Sequence, residues 1–177
     1  MTCSTGKVAT TMTIRQRHDI DLEQCVDALG LVHTTDHYPV NWPADPAAWL
    51  SPRGLVRAWV ATVDDDVVGH VCLSRSRPSD VAAAVWSTRQ RQSVTDTAVV
   101  SRLFVAPSAR GHRFGAALLD HAVREARART LQPVLDVVAA NRAAIALYER
   151  SGWRFLTAVD QQWGPDQTVT LHCFAAP

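Results

Sequence analysis

The stretch with the clearest chemical potential is a short basic turn at residues 110–115, Arg-Gly-His-Arg-Phe-Gly, between two apolar segments. Before the turn, residues 98–105 form an apolar run with β-branched side chains, which predicts a buried strand. After it, apolar residues recur at helical spacing over 116–131, which predicts an amphipathic helix. The first N–H groups of a helix lack carbonyl partners and carry the positive end of its dipole. Such a turn is therefore suited to holding a diphosphate.

Two common nucleotide-binding motifs do not fit this turn. A Walker loop ends in Gly-Lys-Ser/Thr, which does not occur in the chain. A Rossmann fingerprint needs G-x-G-x-x-G directly after the first strand, whereas this turn has a different glycine spacing and lies past the middle of the chain. The basic turn therefore indicates another class of phosphate site.

A second informative stretch is residues 141–153, Asn-Arg-Ala-Ala-Ile-Ala-Leu-Tyr-Glu-Arg-Ser-Gly-Trp. Asn141 suits the start of a helix and Gly152 suits its end. Tyr148 shares one face of that helix with apolar residues. Taken alone, a tyrosine in this position indicates a packed core residue.

Together the two stretches resemble motifs A and B of the GCN5-related N-acetyltransferases (GNAT). Motif A is Arg/Gln-x-x-Gly-x-Gly/Ala; Arg110 and Gly115 match it, and Arg113 stands where the family has its middle glycine. Motif B is N-x-x-A-I-x-L-Y-x-x-x-G-F/W, and residues 141–153 match it throughout. The motifs occur in family order at a family-like separation, and the resemblance covers residues 55–175.

The resemblance implies an α/β fold with a mixed central sheet of about six to seven strands and about four flanking helices. Its splayed central strands would hold acyl-CoA. We expect residues 12–177 to form a single N-acetyltransferase domain, with a mobile N-terminal tail over 1–11 and an inserted segment over 76–97.

Acetyl-CoA is the cosubstrate that the resemblance implies. Its diphosphate would lie on the backbone amides of residues 111–116, and residues 103–105 would pair with the pantetheine arm. An arginine adopts a positive φ only at a cost, so Arg113 is expected to contact phosphate through its charge instead. The implied coenzyme-binding residues are Leu103, Phe104, Val105, Arg110, Gly111, His112, Arg113, Phe114, Gly115, Ala116, Asn141 and Tyr148.

Tyr148 is the implied general acid, which would protonate the leaving thiolate. The acceptor amine must lose a proton before it attacks, because alkyl amines with a pKa of about 10.4 are almost fully charged at pH 7. Many relatives carry a glutamate on the strand before motif A, and this chain has none there. We therefore predict a water-relayed deprotonation that ends on His37 or His70, with Asp96 as the next candidate and Ser101 orienting the water.

The acceptor is expected near residues 31–44, a predicted loop rich in aromatic and titratable groups. His37, Tyr38 and Trp42 are the candidate contacts there, together with Trp163 between the last two predicted strands. Packing on the core is the competing interpretation. We expect direct acetyl transfer to a primary amine in a ternary complex, with a small molecule as acceptor. The sequence is compatible with a small primary amine, an amino acid, an antibiotic or a protein N-terminus.

Two other functions are open at this stage. An acyl-CoA-binding sensor without turnover would need motif A but not Tyr148. A metallohydrolase is suggested by His33-Thr-Thr-Asp-His37, which resembles H-x-x-E-H with aspartate for glutamate. Pro39 follows at once and no third ligand is evident, so we expect no metal.

Bulk properties exclude other classes of protein. The formal net charge of +1 gives no electrostatic footprint for nucleic acid, and no apolar run is long enough to span a membrane. The N-terminus has no apolar signal segment, and the four cysteines form no C-x-x-C pair, so we expect reduced thiols and a cytoplasmic location. The sequence is compatible with a homodimer.

Periodicity and turn residues place the remaining elements. Residues 12–16 predict the first strand, and the helix after it is expected to end at Gly30. Asp45 is expected to cap a short helix. Further strands are predicted at 55–63, 67–73, 133–139, 153–159 and 168–174, and a helix at 81–91 with Val81, Ala84, Val85 and Thr88 on one face.

Overall fold

The computed structural model describes residues 11–177, which form a seven-stranded sheet with helices on both of its faces. The strands are β1 (Met12–Gln16), β2 (Leu55–Val63), β3 (Asp66–Arg75), β4 (Thr97–Val105), β5 (Gln132–Val138), β6 (Arg154–Gly164) and β7 (Gln167–Ala175). The helices are α1 (Leu22–Asp36), α2 (Pro46–Trp49), α3 (Val81–Gln90), α4 (Phe114–Ala128) and α5 (Arg142–Arg150). The predicted mixed α/β architecture is confirmed.

The strand order is β1-β2-β3-β4-β5-β7-β6, and the only parallel pair within residues 11–177 is β4 with β5. That pair is short, because residues 97–99 of β4 pair with residues 132–134 of β5 and the register then stops. Beyond this point β5 continues its pairing with β7 while β4 continues with β3. The two central strands therefore splay apart toward their carboxyl ends, as predicted.

Because successive side chains of a strand point to opposite faces, the sheet has a hydrophobic core on each of its faces. On one face, α4 and α5 pack over a cluster that includes Trp59, Leu118 and Phe174. On the other face, α1 packs over β2 to β4 through residues such as Leu29. The helix α3, within the predicted insertion, covers β5 and β7 on the same face as α1, with Trp86 as its largest buried side chain.

Two helix predictions need correction. The first helix does not end at Gly30 but continues to Asp36, because the extra turns bury Val32 and the helical Gly30 costs only about 1 kcal/mol relative to alanine. It ends where His37 adopts a left-handed φ of 55°. The predicted helix over 81–91 exists, but its buried face consists of Ala82, Ala83 and Trp86 rather than Val81, Ala84, Val85 and Thr88.

Most of the tail predicted over 1–11 lies outside the described residues. The one described member, Thr11, extends the β1 pairing: its N–H donates to Asp64 Oδ1 at 2.8 Å, and its carbonyl accepts from the Asp64 N–H at 3.0 Å. Of the cysteines in residues 11–177, Cys25, Cys72 and Cys173 are free and buried. Over the same residues, no helix has the length and apolar character needed to cross a membrane.

Candidate active site

The basic turn and the start of α4 form one wall of a cavity of about 1090 Å³ between α4, α5 and the end of β4. Gly111 has a φ of 84° and Arg113 a φ of 63°, so the turn contains two left-handed residues. This corrects our expectation for Arg113, which adopts the conformation that favours glycine at a cost of about 1–2 kcal/mol. The Arg113 carbonyl accepts the Ala117 N–H at 3.0 Å, which begins the helix.

The first N–H groups of α4 make this wall suitable for an anionic group. Gly111, Arg113, Gly115 and Ala116 all line the cavity. Peptide N–H groups at a helix start, with a positive dipole end behind them, are suited to a phosphate or diphosphate. His112 points elsewhere: its Nδ1 lies 3.0 Å from the Arg110 carbonyl, and the residue is not part of the lining.

Arg110 serves a structural purpose in this arrangement. Its guanidinium forms an ion pair with Asp36 at the end of α1, and its Nε donates to the Val105 carbonyl at 3.3 Å. The side chain therefore ties the turn to α1 and to β4. Arg113 forms no ion pair with any residue in 11–177, so it is the arginine of the turn with an uncommitted charge.

Gly115 is required by packing rather than by backbone strain. A Cβ added there would lie 3.2 Å from Leu147 Cδ2 and 3.9 Å from Val105 Cγ2. The missing side chain lets the start of α4 approach α5 closely. Both Gly115 and Leu147 line the cavity, so their packing also sets its width.

A second cavity of about 800 Å³ opens on the α1 side of the sheet. Its walls come from the end of α1 and the loop after it, from β4 and β5, and from the β6–β7 hairpin. The two cavities share the lining residues Asp36, Tyr38, Leu103, Asn141, Ala143, Ala144 and Tyr148. They therefore meet in the gap where β4 and β5 splay apart, and an elongated ligand in the first can present one end to the second.

A bulge in β4 exposes backbone groups at this junction. The β3–β4 register pairs Cys72 with Ser101 and then His70 with Phe104, so Arg102 and Leu103 together face Val71. Arg102 has a φ of 52°. Because β5 has already diverged, the β5-facing backbone of residues 100–105 has no strand partner within the described chain. Its free N–H and C=O groups can pair with an extended ligand as another strand would.

Tyr148 stands at the junction itself. It lines both cavities, is 7% exposed, and packs against Trp153 and Phe174 with ring centroids 6.1 and 5.8 Å away. Burial raises the pKa of its hydroxyl, and no hydrogen bond within the described chain contributes to that shift. Asn141, which also lines both cavities, caps α5 by accepting the Ala144 N–H on Oδ1 at 3.1 Å. Its side-chain amide can still donate into the gap.

Asp136 is a candidate that our sequence interpretation missed. It lies on β5 between Leu135 and Val137, and its carboxylate reaches the wall of the second cavity. The side chain of Asp136 is open to solvent through this cavity, but the protein atoms around it partly desolvate the carboxylate and so raise its pKa. The charge of Asp80 acts in the same direction, whereas Arg102 and the Ala82 N–H act in the opposite direction. The available signal was a single acidic residue inside an otherwise apolar strand.

Of the residues predicted to take part in deprotonating the acceptor, only some line a cavity. His70 is fully buried, and its Nδ1 lies 3.0 Å from the Arg102 carbonyl while its Nε2 lies 3.0 Å from Arg17 Nη1. Burial lowers the pKa of His70 to about 3, so its site does not suit a base. Asp96 is exposed and accepts the Ser93 N–H at 3.0 Å, outside both cavity linings. His37 and Ser101 do line the second cavity.

Of the four predicted acceptor contacts, three line the second cavity and one does not. His37, Tyr38 and Trp163 line the second cavity. Trp42 is not part of the lining, and its ring packs 5.0 Å from the His33 ring. The His33 Nδ1 is itself 2.9 Å from the Pro39 carbonyl, and no cluster of three metal-ligating residues occurs in 11–177. The geometry therefore gives no support to a metal site on His33 and His37.

Comparison with known proteins identifies the family. The profile of the Acetyltransferase (GNAT) family matches residues 23–153. No curated protein sequence gives a significant match. Among solved structures, the ribosomal-protein-S18-alanine N-acetyltransferase from Escherichia coli is 22% identical with a TM-score of 0.67, and the match covers 94% of each chain.

Two structures with a bound ligand show the same fold. Arabidopsis thaliana NAA60 in complex with acetyl-CoA has a TM-score of 0.71 at 17% identity, covering 93% of this chain and 97% of its own. The putative acetyltransferase yncA from Salmonella typhimurium, with its cofactor acetyl-CoA, has a TM-score of 0.69 at 21% identity, covering 93% and 92%. Since the family profile covers most of the sequence, the chain belongs to the Acetyltransferase (GNAT) family.

Proposed function

We propose that this protein transfers an acetyl group from acetyl-CoA to the primary amine of a small molecule, by direct attack in a ternary complex. The observation that carries the proposal is the meeting of two cavities beside Tyr148, in the gap between β4 and β5. Two substrates that enter from opposite faces of the sheet would place their reacting groups at that junction. The second cavity, of about 800 Å³, suits a small molecule.

The residues of the first cavity fit acetyl-CoA, which would supply an activated thioester. The amides at the start of α4 would take the diphosphate, with Arg113 adding charge. The open edge of β4 would pair with the pantetheine arm, and Asn141 would donate to the same arm. A free N–H at Leu103 would polarise the thioester carbonyl and stabilise the negative charge that develops on its oxygen.

Tyr148 would act as the general acid. Burial raises the pKa of its hydroxyl, so the phenol stays protonated throughout the neutral range. The same dry surroundings disfavour a free thiolate, so a thiolate leaving beside Tyr148 gains from accepting its proton.

Asp136 would act as the general base in place of the predicted His70 or Asp96. Its raised pKa brings a carboxylate nearer to the working pH, where it accepts a proton from the incoming ammonium group more readily. His37 and Ser101 line the same cavity and would orient a water between the amine and the carboxylate. The first proton, removed from the ammonium group, leaves through this cavity. The departing thiolate takes a proton from Tyr148, and the second proton, which the nitrogen loses as the amide forms, restores the phenol.

The test has two readouts on the purified protein. Thermal unfolding with acetyl-CoA measures binding, since a ligand at a hundredfold excess over its Kd stabilises the folded state by about 2.7 kcal/mol. Release of free thiol from acetyl-CoA with a panel of amines measures turnover. We expect both signals; a melting shift with no thiol release from any amine would favour the sensor without turnover, and no melting shift would reject the proposal.

A further inference from the structure

Arg102 places an uncommitted positive charge on the wall of the second cavity. Its Nε donates to the Trp49 carbonyl at 2.8 Å, its Nη1 donates to Ser101 Oγ at 2.9 Å, and its guanidinium carbon lies 4.9 Å from the centre of the Trp49 ring. These bonds use two of the five N–H donors of the guanidinium. No carboxylate within residues 11–177 forms an ion pair with it.

The guanidinium is held in place, unlike that of a mobile surface arginine. The residue is half-buried and lies in the β4 bulge with a φ of 52°. Its carbonyl accepts from the fully buried His70, and its stem is fixed by the contacts with α2. A side chain fixed in this way loses little entropy when it binds a ligand, so its remaining donors are preorganised.

The balance of charge in the second cavity favours an anionic group. Arg142 also lines it and, like Arg102, has no ion-pair partner in the described chain. Of the carboxylates in the lining, Asp36 is already paired with Arg110. Asp136 lies close enough for Arg102 to lower its pKa, but the two form no ion pair. The charge of Arg102 is therefore not neutralised by a carboxylate in direct contact, and it remains available to an anionic group in the cavity.

One part of the remaining wall is apolar and aromatic, beside polar residues such as Asn41 and Asn141. Val100, Val138 and Leu171 line it together with Trp49 and Trp163. A ligand that fills this cavity therefore meets a fixed guanidinium, a carboxylate and an apolar surface within one small volume.

From this arrangement we propose that the acceptor is a free amino acid with an apolar side chain. Its carboxylate would bind the remaining donors of Arg102, its amine would face Asp136 and the cavity junction, and its side chain would pack on the apolar wall. The inference rests on the proposed acetyl transfer and names the substrate class of the same site.

The test compares acceptors that differ only in the carboxylate. Thiol release from acetyl-CoA is measured with L-phenylalanine, L-phenylalaninamide and phenethylamine, and kcat/KM is corrected for the neutral fraction of each amine. A charged hydrogen-bonded contact predicts a preference for phenylalanine of about ten- to a hundredfold. Equal rates, or a preference for the amide or for a peptide that begins with phenylalanine, would overturn the inference.

Variants separate recognition from folding. Arg102→Gln is expected to bring the phenylalanine-to-amide ratio close to one, and Arg102→Lys is expected to keep part of it. If Arg102 had only a structural role, its replacement would lower kcat/KM equally for phenylalanine and for phenylalaninamide. The unchanged ratio would also overturn the inference. Arg142→Gln, at the start of α5, is the matched comparison. It should change the phenylalanine-to-amide ratio less than Arg102→Gln does, because the Arg142 side chain is exposed.

The two proposals fail in distinguishable ways. If acetyl-CoA causes no melting shift and no amine releases thiol, the proposed function fails, and the acceptor inference with it. If acetyl-CoA binds and amines are acetylated without regard to a carboxylate, only the acceptor inference fails.

Discussion

Replacing Asp136 by asparagine is expected to lower activity and raise stability at neutral pH. The substitution keeps the size of the side chain and an oxygen that can accept the Ala82 N–H, which contributes to the environment of the carboxylate. It removes only the negative charge and the ability to take a proton. A change in rate can therefore be assigned to the charge or the proton of Asp136, provided that acetyl-CoA still raises the melting temperature, and the pH profile separates the two.

The expected loss of activity follows from the role of a general base. Such a group contributes about 10²- to 10⁴-fold to the rate, so kcat/KM should fall by that factor in Asp136→Asn. The wild type should show an ascending limb above the ordinary aspartate pKa of about 3.9, because partial desolvation by the surrounding protein raises the pKa of Asp136. This limb should be missing in the variant. Thiol release measured across pH with one amine provides the assay.

The expected gain in stability follows from the same pKa shift. Because the folded-state pKa of Asp136 is raised, the folded protein holds this proton more tightly than the unfolded chain. The resulting stabilisation is fully present below the unfolded pKa and is lost as the pH rises through the folded pKa. Asp136→Asn avoids that loss, so its advantage in urea unfolding should be largest at neutral pH and should shrink toward pH 4.

A control carboxylate is available on β6. Asp160 is exposed, accepts from the Thr170 hydroxyl at 2.6 Å, and lines neither cavity, so Asp160→Asn should leave the rate of thiol release unchanged. Two results would refute the reasoning about Asp136. One is a wild-type rate and pH profile in Asp136→Asn, and the other is a stability difference that does not shrink on acidification.

Three further predictions concern other parts of the site. Tyr148→Phe should keep the melting shift with acetyl-CoA but lose turnover by about ten- to a thousandfold, and wild-type turnover would leave Tyr148 as a packing residue. Arg113→Gly should leave the urea midpoint almost unchanged, because relief of about 1 kcal/mol of left-handed strain is offset by the flexibility of glycine. The same variant should bind acetyl-CoA more weakly and with less salt dependence, and an unchanged affinity would mean that Arg113 does not touch phosphate. The pKa of His70 is lowered to about 3, so below pH 6.5 the unfolded chain binds a proton that the folded protein does not, and the wild type should lose up to about 1.4 kcal/mol of stability per pH unit. A His70→Asn variant whose stability falls equally steeply with acidification would contradict this.

The parts of the fold that the sequence predicts well are those with strong local signals. The apolar run of β4, the turn after it and the amphipathic α4 follow one another directly between residues 97 and 128, and Asn141 and Gly152 mark the two ends of α5. The β2–β3 hairpin is marked by three consecutive aspartates, of which Asp64 and Asp65 adopt the left-handed conformation of a tight turn. In each of these cases neighbouring residues carry the information.

Predictions failed where contacts distant in sequence decide the outcome. Gly30 is a common helix terminator, but burial of Val32 and the packing of Trp42 beside Gly30 support a longer helix. The face of α3 was assigned from valines, whereas the large indole of Trp86 determines which side is buried. Asp136 was also missed. Its side chain reaches a cavity only because β5 diverges from β4, and local sequence does not reveal that divergence.

The bulge in β4 explains why the site could not be assembled from the alternation of strand residues alone. In a regular strand, Val100, Arg102 and Phe104 would point to the same face. In the structure Val100 packs with the α4 core and Phe104 with the α1 core, because the bulge at Arg102 reverses the alternation. This one-residue irregularity brings the Arg102 guanidinium to Trp49 and to the wall of the second cavity, and it turns the Arg102 carbonyl toward His70. The His70 ring can donate to that carbonyl only from Nδ1, and its Nε2 must then accept from the permanently charged Arg17, so the ring is neutral and in a single tautomer. His70, which the sequence offered as a base, therefore supports the backbone of the bulge, and the proposed function assigns the proton of the acceptor to Asp136 on β5.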